Sequence, residues 1–235
     1  MRQLLREKYA GERTEAAEKD IARLQAGEHL DYVIGFVEFL GCRIDLSFHP
    51  LIPRPETEYW AEKAIEDIKG KNKPKVLDLF AGSGCVGLAV LKHTEAAVDF
   101  GEKDAKLLRQ IRKNLRDNAV EESRYRLIQT DVFSTIWGTY DYILANPPYV
   151  AEGAWVQDSV LREPREALFA GKDGLNIITP FLKQARDRLA RGGRVYMEFG
   201  EGQAENVAEL CGEAGYSSCA IHRDREGRER YCIAA

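Results

Sequence analysis

The sequence predicts an α/β domain built on one open, mostly parallel sheet that ends in an antiparallel hairpin. Three observations carry this. From Lys75 onward short apolar runs alternate with helical segments, the signature of βαβ units. Within that region VLDLFAGSGCVGLAV (76–90) puts a strand, a glycine-rich turn and a helix in immediate succession. The last two apolar runs, YSSCAIH (216–222) and RERYCIAA (228–235), flank only the turn-like RDREG. Strands that close cannot be joined by a crossover helix, so they must pair antiparallel.

Each element has its own local reason. Residues 2–25 carry Leu4, Leu5, Ala16, Ala17, Ile21 and Leu24 among alternating charges, a narrow apolar face suited to one or two short amphipathic helices. YVIGFVEFLGCRIDLSF (32–48) alternates β-branched and aromatic residues with polar ones around Gly41, predicting two strands and a tight turn. In LIPRPETEYWAEKAIEDIKG (51–70), Pro55 opens a helix whose first turn holds Glu56 and Glu58, favourably placed against the helix dipole, and which ends near Gly70. Parallel strands are expected at 75–80, 96–101, 125–129, 140–145 and 193–199, with helices near 85–93, 104–118, 174–190 and 203–214. With the terminal pair, the main sheet is seven-stranded and mixed. The chain thus divides into a short N-terminal helical segment (1–30), a β-hairpin linker (31–52) and a main domain (53–235).

Composition bounds the function. A chain of 235 residues, 44% hydrophobic, fills one good-sized core. Its 34 basic and 38 acidic residues leave a formal charge of −4 with no like-charge block, which argues against a partner held mainly through phosphates. The five cysteines (Cys42, Cys85, Cys211, Cys219, Cys232) are odd in number and scattered, with no C-x-x-C pair. They read as reduced thiols of a cytoplasmic protein, and no metal is assigned. Neither an export signal nor an apolar run approaching the roughly 18 residues of a membrane span is present.

The glycine turn is the first candidate site. Gly82 and Gly84 let the backbone turn tightly and approach a ligand, and Gly87 allows close packing of helix on strand. Twenty positions beyond Gly82, Glu102 ends the second parallel strand, where an acid can accept hydrogen bonds from both hydroxyls of a ribose. Asp99 and Asp104 compete for that role, although Asp104 has the position of a helix N-cap. A nucleoside-bearing cofactor follows.

The second candidate is YDYILANPPYV (140–150), an apolar run that stops at Asn146, Pro147, Pro148 and Tyr149. Asn146 offers a side-chain carbonyl as acceptor. Pro147 stiffens the turn and leaves a backbone carbonyl. Two acceptors suit one NH₂ group on an amide or an aromatic amine, a poor nucleophile because its lone pair is delocalised. Tyr149 can pack against the planar group. At the carboxyl end of a strand in an open sheet, this is where ligands bind. His49 reads as a packed or solvated histidine, Cys85 as a small buried hydrophobe and Trp155 as either a substrate contact or an anchor of the loop 150–173.

NPPY, together with GEHLDYVIG (27–35), LIPRPETE (51–58), EPREALFAGKDGL (163–175) and DREGRERY (224–231), resembles the release-factor glutamine methyltransferase family, the HemK/PrmC type. The resemblance implies a Rossmann-like class I fold and S-adenosylmethionine as cofactor, which the terminal strand pair also favours over a dinucleotide. It implies cofactor contacts at Asp78, Phe80, Ala81, Gly82, Ser83, Gly84, Glu102, Asp131, Val132 and Asn146, with Asp131 holding the adenine amino group and Val132 flanking the ring. It implies catalysis at Asn146, Pro147, Pro148 and Tyr149, with Pro53, Arg54, Pro55 and Glu56 beside them binding substrate. The substrate would be the glutamine of a Gly-Gly-Gln loop in a peptide chain release factor, the enzyme a cytoplasmic monomer without metal or membrane. Two features depart from the family: only about 25 residues precede GEHLDYVIG, where some seventy or more are usual, and Phe80 stands where a glycine is common. Because adenine-N6 methyltransferases share NPPY and often FAGSG, action on RNA or DNA is the alternative. A non-catalytic cofactor-binding subunit is the alternative of another class.

Overall fold

A computed structural model describes residues 1–235. The N-terminal helices α1 (Arg2–Tyr9), α2 (Glu15–Gln25) and α3 (Leu30–Ile34) bury Leu4, Ile21, Val33 and Ile34 against one another in a small core of their own. The strand pattern read from Tyr32 onward does not begin there. His29 Nδ1 accepts the Asp31 N–H, and Gly35, at φ 95°, returns its own N–H to the Asp31 carbonyl, so both ends of a short helix are capped around Tyr32, Val33 and Ile34. Capping overrides the β preference of the branched side chains.

The hairpin follows as β1 (Phe36–Phe39) and β2 (Cys42–Asp45), joined by Leu40 and Gly41, both at positive φ as a two-residue turn requires. It is no loose connector. Phe39, Cys42, Ile44 and Leu46 enter the same core as Trp60, Val76 and Phe100. The backbone amides of Asp45 and Phe48 donate to Asn114 and Gln110, side chains of a later helix.

The remaining elements are α4 (Pro55–Ile68), β3 (Lys75–Leu79), α5 (Cys85–His93), β4 (Ala97–Glu102), α6 (Ala105–Asp117), β5 (Tyr125–Gln129), β6 (Tyr140–Ala145), α7 (Ile178–Arg186), β7 (Leu189–Glu198), α8 (Ala204–Glu213), β8 (Cys219–Arg223) and β9 (Glu229–Ala234). The seven strands of the main sheet lie in the order β5-β4-β3-β6-β7-β9-β8. β9 runs antiparallel to both β7 and β8. The chain leaves β3 toward β4 and β5, then returns to β6 on the other side of β3. The crevice at the carboxyl ends of β3 and β6 is therefore the topological switch point at which open α/β sheets bind ligands.

Two boundaries differ from expectation. α7 starts later than 174 because Gly174, at φ 77°, lies against the Tyr149 carbonyl, where a Cβ would come within 2.1 Å, and it ends at Arg186, short of 190. β7 starts earlier than 193, since Leu189 pairs with Tyr140 through the backbone ahead of a register shift. No helix is long and apolar enough to cross a membrane.

Candidate active site

The carboxyl ends of β3, β4, β5 and β6 carry every residue singled out in the crevice. After Leu79 the chain turns through Phe80 (φ 61°), Gly82 (φ 55°) and Gly84 (φ 78°) into α5. Phe80 is a bulky residue in the left-handed region where glycine costs nothing. Its ring packs against Phe181 at 5.7 Å between centroids, which helps hold the conformation. A Cβ on Gly87 would stand 2.4 Å from the Phe100 ring, so α5 sits closer to β4 than any side chain permits, as the spacing predicts. Ala81 and Ser83 are buried in the turn, and the Ser83 carbonyl accepts from Asn114 Nδ2 at 2.9 Å.

Three acids were in contention here. Asp99 is buried lower in β4, bound to the Arg126 guanidinium and to the Tyr140 hydroxyl. Asp104 caps α6 through the Lys106 amide. Glu102 meets the glycine turn: Oε2 accepts the Gly82 N–H at 2.9 Å and Oε1 the Asp104 N–H at 2.9 Å. Burial pushes its pKa up, and those amides oppose the shift. Each carboxylate oxygen keeps a further lone pair for an incoming hydroxyl. Asp78 lies beneath the turn, where Oδ2 accepts the Gly87 N–H at 2.8 Å, and burial pushes its pKa up to about 8. Beyond β5, Asp131 is exposed and pairs with Lys103 at 2.9 Å, while Val132 takes φ 51°, a left-handed conformation unusual for a β-branched residue.

Across the crevice, the turn after β6 is organised by a residue the sequence reading missed. Glu198, fully buried at the end of β7, receives three hydrogen bonds. Thr57 Oγ1 donates to Oε2 at 2.6 Å, Trp60 Nε1 to Oε2 at 2.7 Å and the Tyr149 hydroxyl to Oε1 at 3.0 Å. Burial raises the Glu198 pKa, with Thr57 and Trp60 opposing. Burial, reinforced by the Glu198 charge, holds the Tyr149 phenol well above its ordinary pKa, so its O–H remains a donor. Having donated its proton to Glu198, Thr57 Oγ1 accepts from Asn146 Nδ2 at 3.2 Å. That direction sets the asparagine amide with Oδ1 turned away from Thr57. The Pro147 carbonyl receives no hydrogen bond from within the chain, whereas the Tyr149 carbonyl is taken by Gln203 Nε2 at 3.0 Å.

The LIPRPETE segment adjoins this network because Thr57 belongs to it. Glu163, buried, accepts the Ile52 N–H at 3.0 Å and binds the Arg54 guanidinium, which ties the loop 150–173 to the residues that start α4. Pro53 is partly buried, Pro55 opens α4, and Glu56 adds its charge to the field on Glu198. Trp155 is 85% exposed and so anchors nothing. His49 packs its ring on Tyr32 at 4.6 Å, and Cys85 is a buried thiol pushed up to about 12. Thr57, Trp60 and Glu198 had a readable signal in one respect only: Glu198 is an acid embedded in the apolar run VYMEF.

The site accommodates a nucleoside-bearing cofactor on its own evidence. It has a left-handed glycine turn at a helix start, a half-buried carboxylate with free lone pairs beside it, and a second acid one strand further on. Fold and site together define a class I S-adenosylmethionine-dependent methyltransferase.

Comparison with known proteins narrows this. Residues 63–172 match the family model of the methyltransferase small domain. The chain is 32% identical over 215 residues to a release factor glutamine methyltransferase of Borreliella burgdorferi, covering 91% of this chain and 75% of that one. It is 36% identical over 222 residues to the protein of that name from Bordetella pertussis, covering 92% and 81%. Among solved structures, a methyltransferase from Pyrococcus furiosus superposes with a TM-score of 0.64 at 20% identity, covering 92% of this chain and 97% of that one, which speaks to the fold. The chain belongs to the release factor glutamine methyltransferase family.

Proposed function

We propose that the protein transfers a methyl group from S-adenosylmethionine to the side-chain amide nitrogen of a glutamine in a peptide chain release factor, the glutamine of its Gly-Gly-Gln loop. The observation that carries the reading, beside family membership, is the chain of hydrogen bonds from Glu198 through Thr57 to Asn146, which presents Asn146 Oδ1 as an acceptor. Oδ1 and the Pro147 carbonyl then hold the two hydrogens of one primary amide. Pro147 and Pro148 keep the turn stiff, and Tyr149, fixed by its own bond to Glu198, packs against the amide plane. Pro53, Arg54, Pro55 and Glu56 flank the entering backbone.

Asp78, the turn from Phe80 to Gly84, Glu102, Asp131 and Val132 hold the cofactor, with Glu102 on the ribose and Asp131 exchanging its exposed Lys103 partner for the adenine amino group. Asn146 stands between cofactor and substrate. When bound, the cofactor supplies an electrophilic methyl group on a sulfonium. The chain contributes orientation: an amide nitrogen is a weak nucleophile, and holding it in line can lower the barrier by on the order of 7 kcal/mol. In this reading residues 1–30 and the hairpin 31–52 serve substrate docking, 53–235 serve chemistry, and the enzyme works as a monomer in the cytoplasm.

The test is transfer of radiolabelled methyl from S-adenosylmethionine to purified release factor, to its variant with alanine for the loop glutamine, and to total RNA and DNA in parallel. Label on the intact factor and not on the variant is expected. Label on nucleic acid instead would mean that the Asn146 turn grips adenine.

A further inference from the structure

The three cysteines that are scattered in sequence converge in the fold. Cys211 comes from α8, Cys219 from the edge strand β8 and Cys232 from β9, and their sulfur atoms all lie within 4.8 Å of one another. We propose that Cys211, Cys219 and Cys232 form a binding site for a soft d10 metal ion of the zinc(II) or copper(I) class, with three thiolate ligands. Such ions favour sulfur, and bonds of about 2.3 Å to three thiolates place the sulfurs roughly 4 Å apart. The cluster is within an ångström of that spacing before any ion contracts it.

A disulfide between the two strand cysteines explains the grouping less well, and any single disulfide leaves the third sulfur unaccounted for. In the β8–β9 ladder Cys219 lies opposite Ala234 and Cys232 opposite Ile221, so the two cysteines are diagonal neighbours on one face. Diagonal Cβ atoms are separated by roughly 7 Å, against about 3.8 Å in a disulfide. A metal ion spans that gap without moving the strands. Access and coordination number also agree. Cys211 and Cys232 are fully buried, while Cys219 is half-buried on the edge strand and provides the way in. Tyr216, buried nearby, has its hydroxyl committed to the Leu182 carbonyl at 2.9 Å, and no fourth histidine, cysteine or carboxylate joins the group. The fourth position is left to a solvent molecule on the Cys219 side.

The site lies on the opposite face of the sheet from the methyl-transfer network. Cys232 pairs with Met197, and both pack on the α7 and α8 side, whereas the neighbouring Glu198 turns to Thr57 and Trp60 of α4. On binding, three S–H protons leave to solvent as three metal–sulfur bonds form, and no electron is transferred.

The test uses the full, reduced chain, stripped with chelator and titrated with cadmium(II), whose thiolate bonds give an ultraviolet charge-transfer band. A band saturating at one ion per chain, displaced by copper(I), diminished when excess zinc(II) is present during the titration, and accompanied by a higher Tm, is expected. Cys219→Ser, at a half-buried edge position where folding survives, weakens binding at least tenfold and removes the Tm rise. Cys42→Ser, outside the cluster, titrates like the parent. A missing or unsaturable band, a band of equal affinity in Cys219→Ser, or loss of the band in a Cys42→Ser chain that still melts cooperatively would overturn the assignment.

Discussion

Thr57→Val removes a single hydroxyl, and the structure says what that hydroxyl does. It donates to the buried Glu198 carboxylate at 2.6 Å and accepts from Asn146 Nδ2 at 3.2 Å. A hydrogen bond to a charged group contributes about 1.5–3 kcal/mol, and neither Thr57 nor Glu198 is exposed to water that could replace it. A loss near 2 kcal/mol lowers Tm by about 4–8 °C in a chain of this length. The effect on catalysis is separate. Without its acceptor, Asn146 loses about 1 kcal/mol of preference for one amide orientation, roughly a factor of five, and the flipped amide aims an N–H at the substrate's own N–H. With some loss of rigidity added, kcat/KM for the release factor should fall about 5- to 10-fold while the cofactor Kd, read by calorimetry, stays as it was. Thr57→Ser keeps the hydroxyl and should recover both stability and rate. Unchanged kcat/KM in Thr57→Val, or a serine variant as impaired as the valine one, would refute the role given to this hydroxyl.

Asn146→Ala removes the proposed amide acceptor altogether; turnover should drop below detection in the label-transfer assay with cofactor affinity largely intact, and residual activity near the parent's would remove Asn146 from the mechanism. Asp78 makes the unliganded protein less stable as pH rises: a carboxyl raised to about 8 in the fold binds a proton that the unfolded chain has released, so stability is lost between about pH 4 and 8. The slope is on the order of 1 kcal/mol per pH unit at most, and Asp78→Asn, which still accepts from Gly87, should flatten it in urea melts at pH 5 and pH 8. Arg54→Ala leaves Glu163 buried without its guanidinium, so the loop 150–173 should be cleaved faster by protease and KM for the release factor should rise more than kcat falls.

Where backbone and side-chain preferences agreed, the fold was legible. β3 and β6 are buried on both faces and read as near-continuous apolar runs, and the glycines between β3 and α5 mark a turn that only they, and a strained Phe80, can make. Legibility failed where a local hydrogen bond outweighed the side chains. Val33 and Ile34 have strand-like side chains, yet the His29 and Gly35 caps make them helical. Arg188 and Leu189 join the sheet through backbone pairing with Tyr140, ahead of a register shift that no apolar alternation announces. Spacing along the chain could not reveal the cysteine cluster either, because two of its members meet by strand register and the third arrives on a helix.

The active-site network was half legible, and topology supplies the rest. Only the family resemblance puts Pro53 to Glu56 beside Asn146 to Tyr149; the residues themselves give no physical reason why the two stretches should meet. An acid in the run VYMEF has two readings on its own, a solvent-facing strand residue or a buried one. Strand order decides between them: β7 lies between β6 and β9 with α4 packed on one face and α7 on the other, so that past the exposed Arg194 its carboxyl half, Val195 to Glu198, has no solvent-facing side. Glu198 must therefore be buried, and a buried carboxylate requires donors. The helix α4 covering that face brings Thr57 and Trp60 within reach, and the turn after the adjacent β6 brings Tyr149. Satisfying one buried carboxylate thus obliges the start of α4 and the Asn146 turn to meet, although 141 residues separate Thr57 from Glu198. The two motifs are halves of one site because Glu198 requires both.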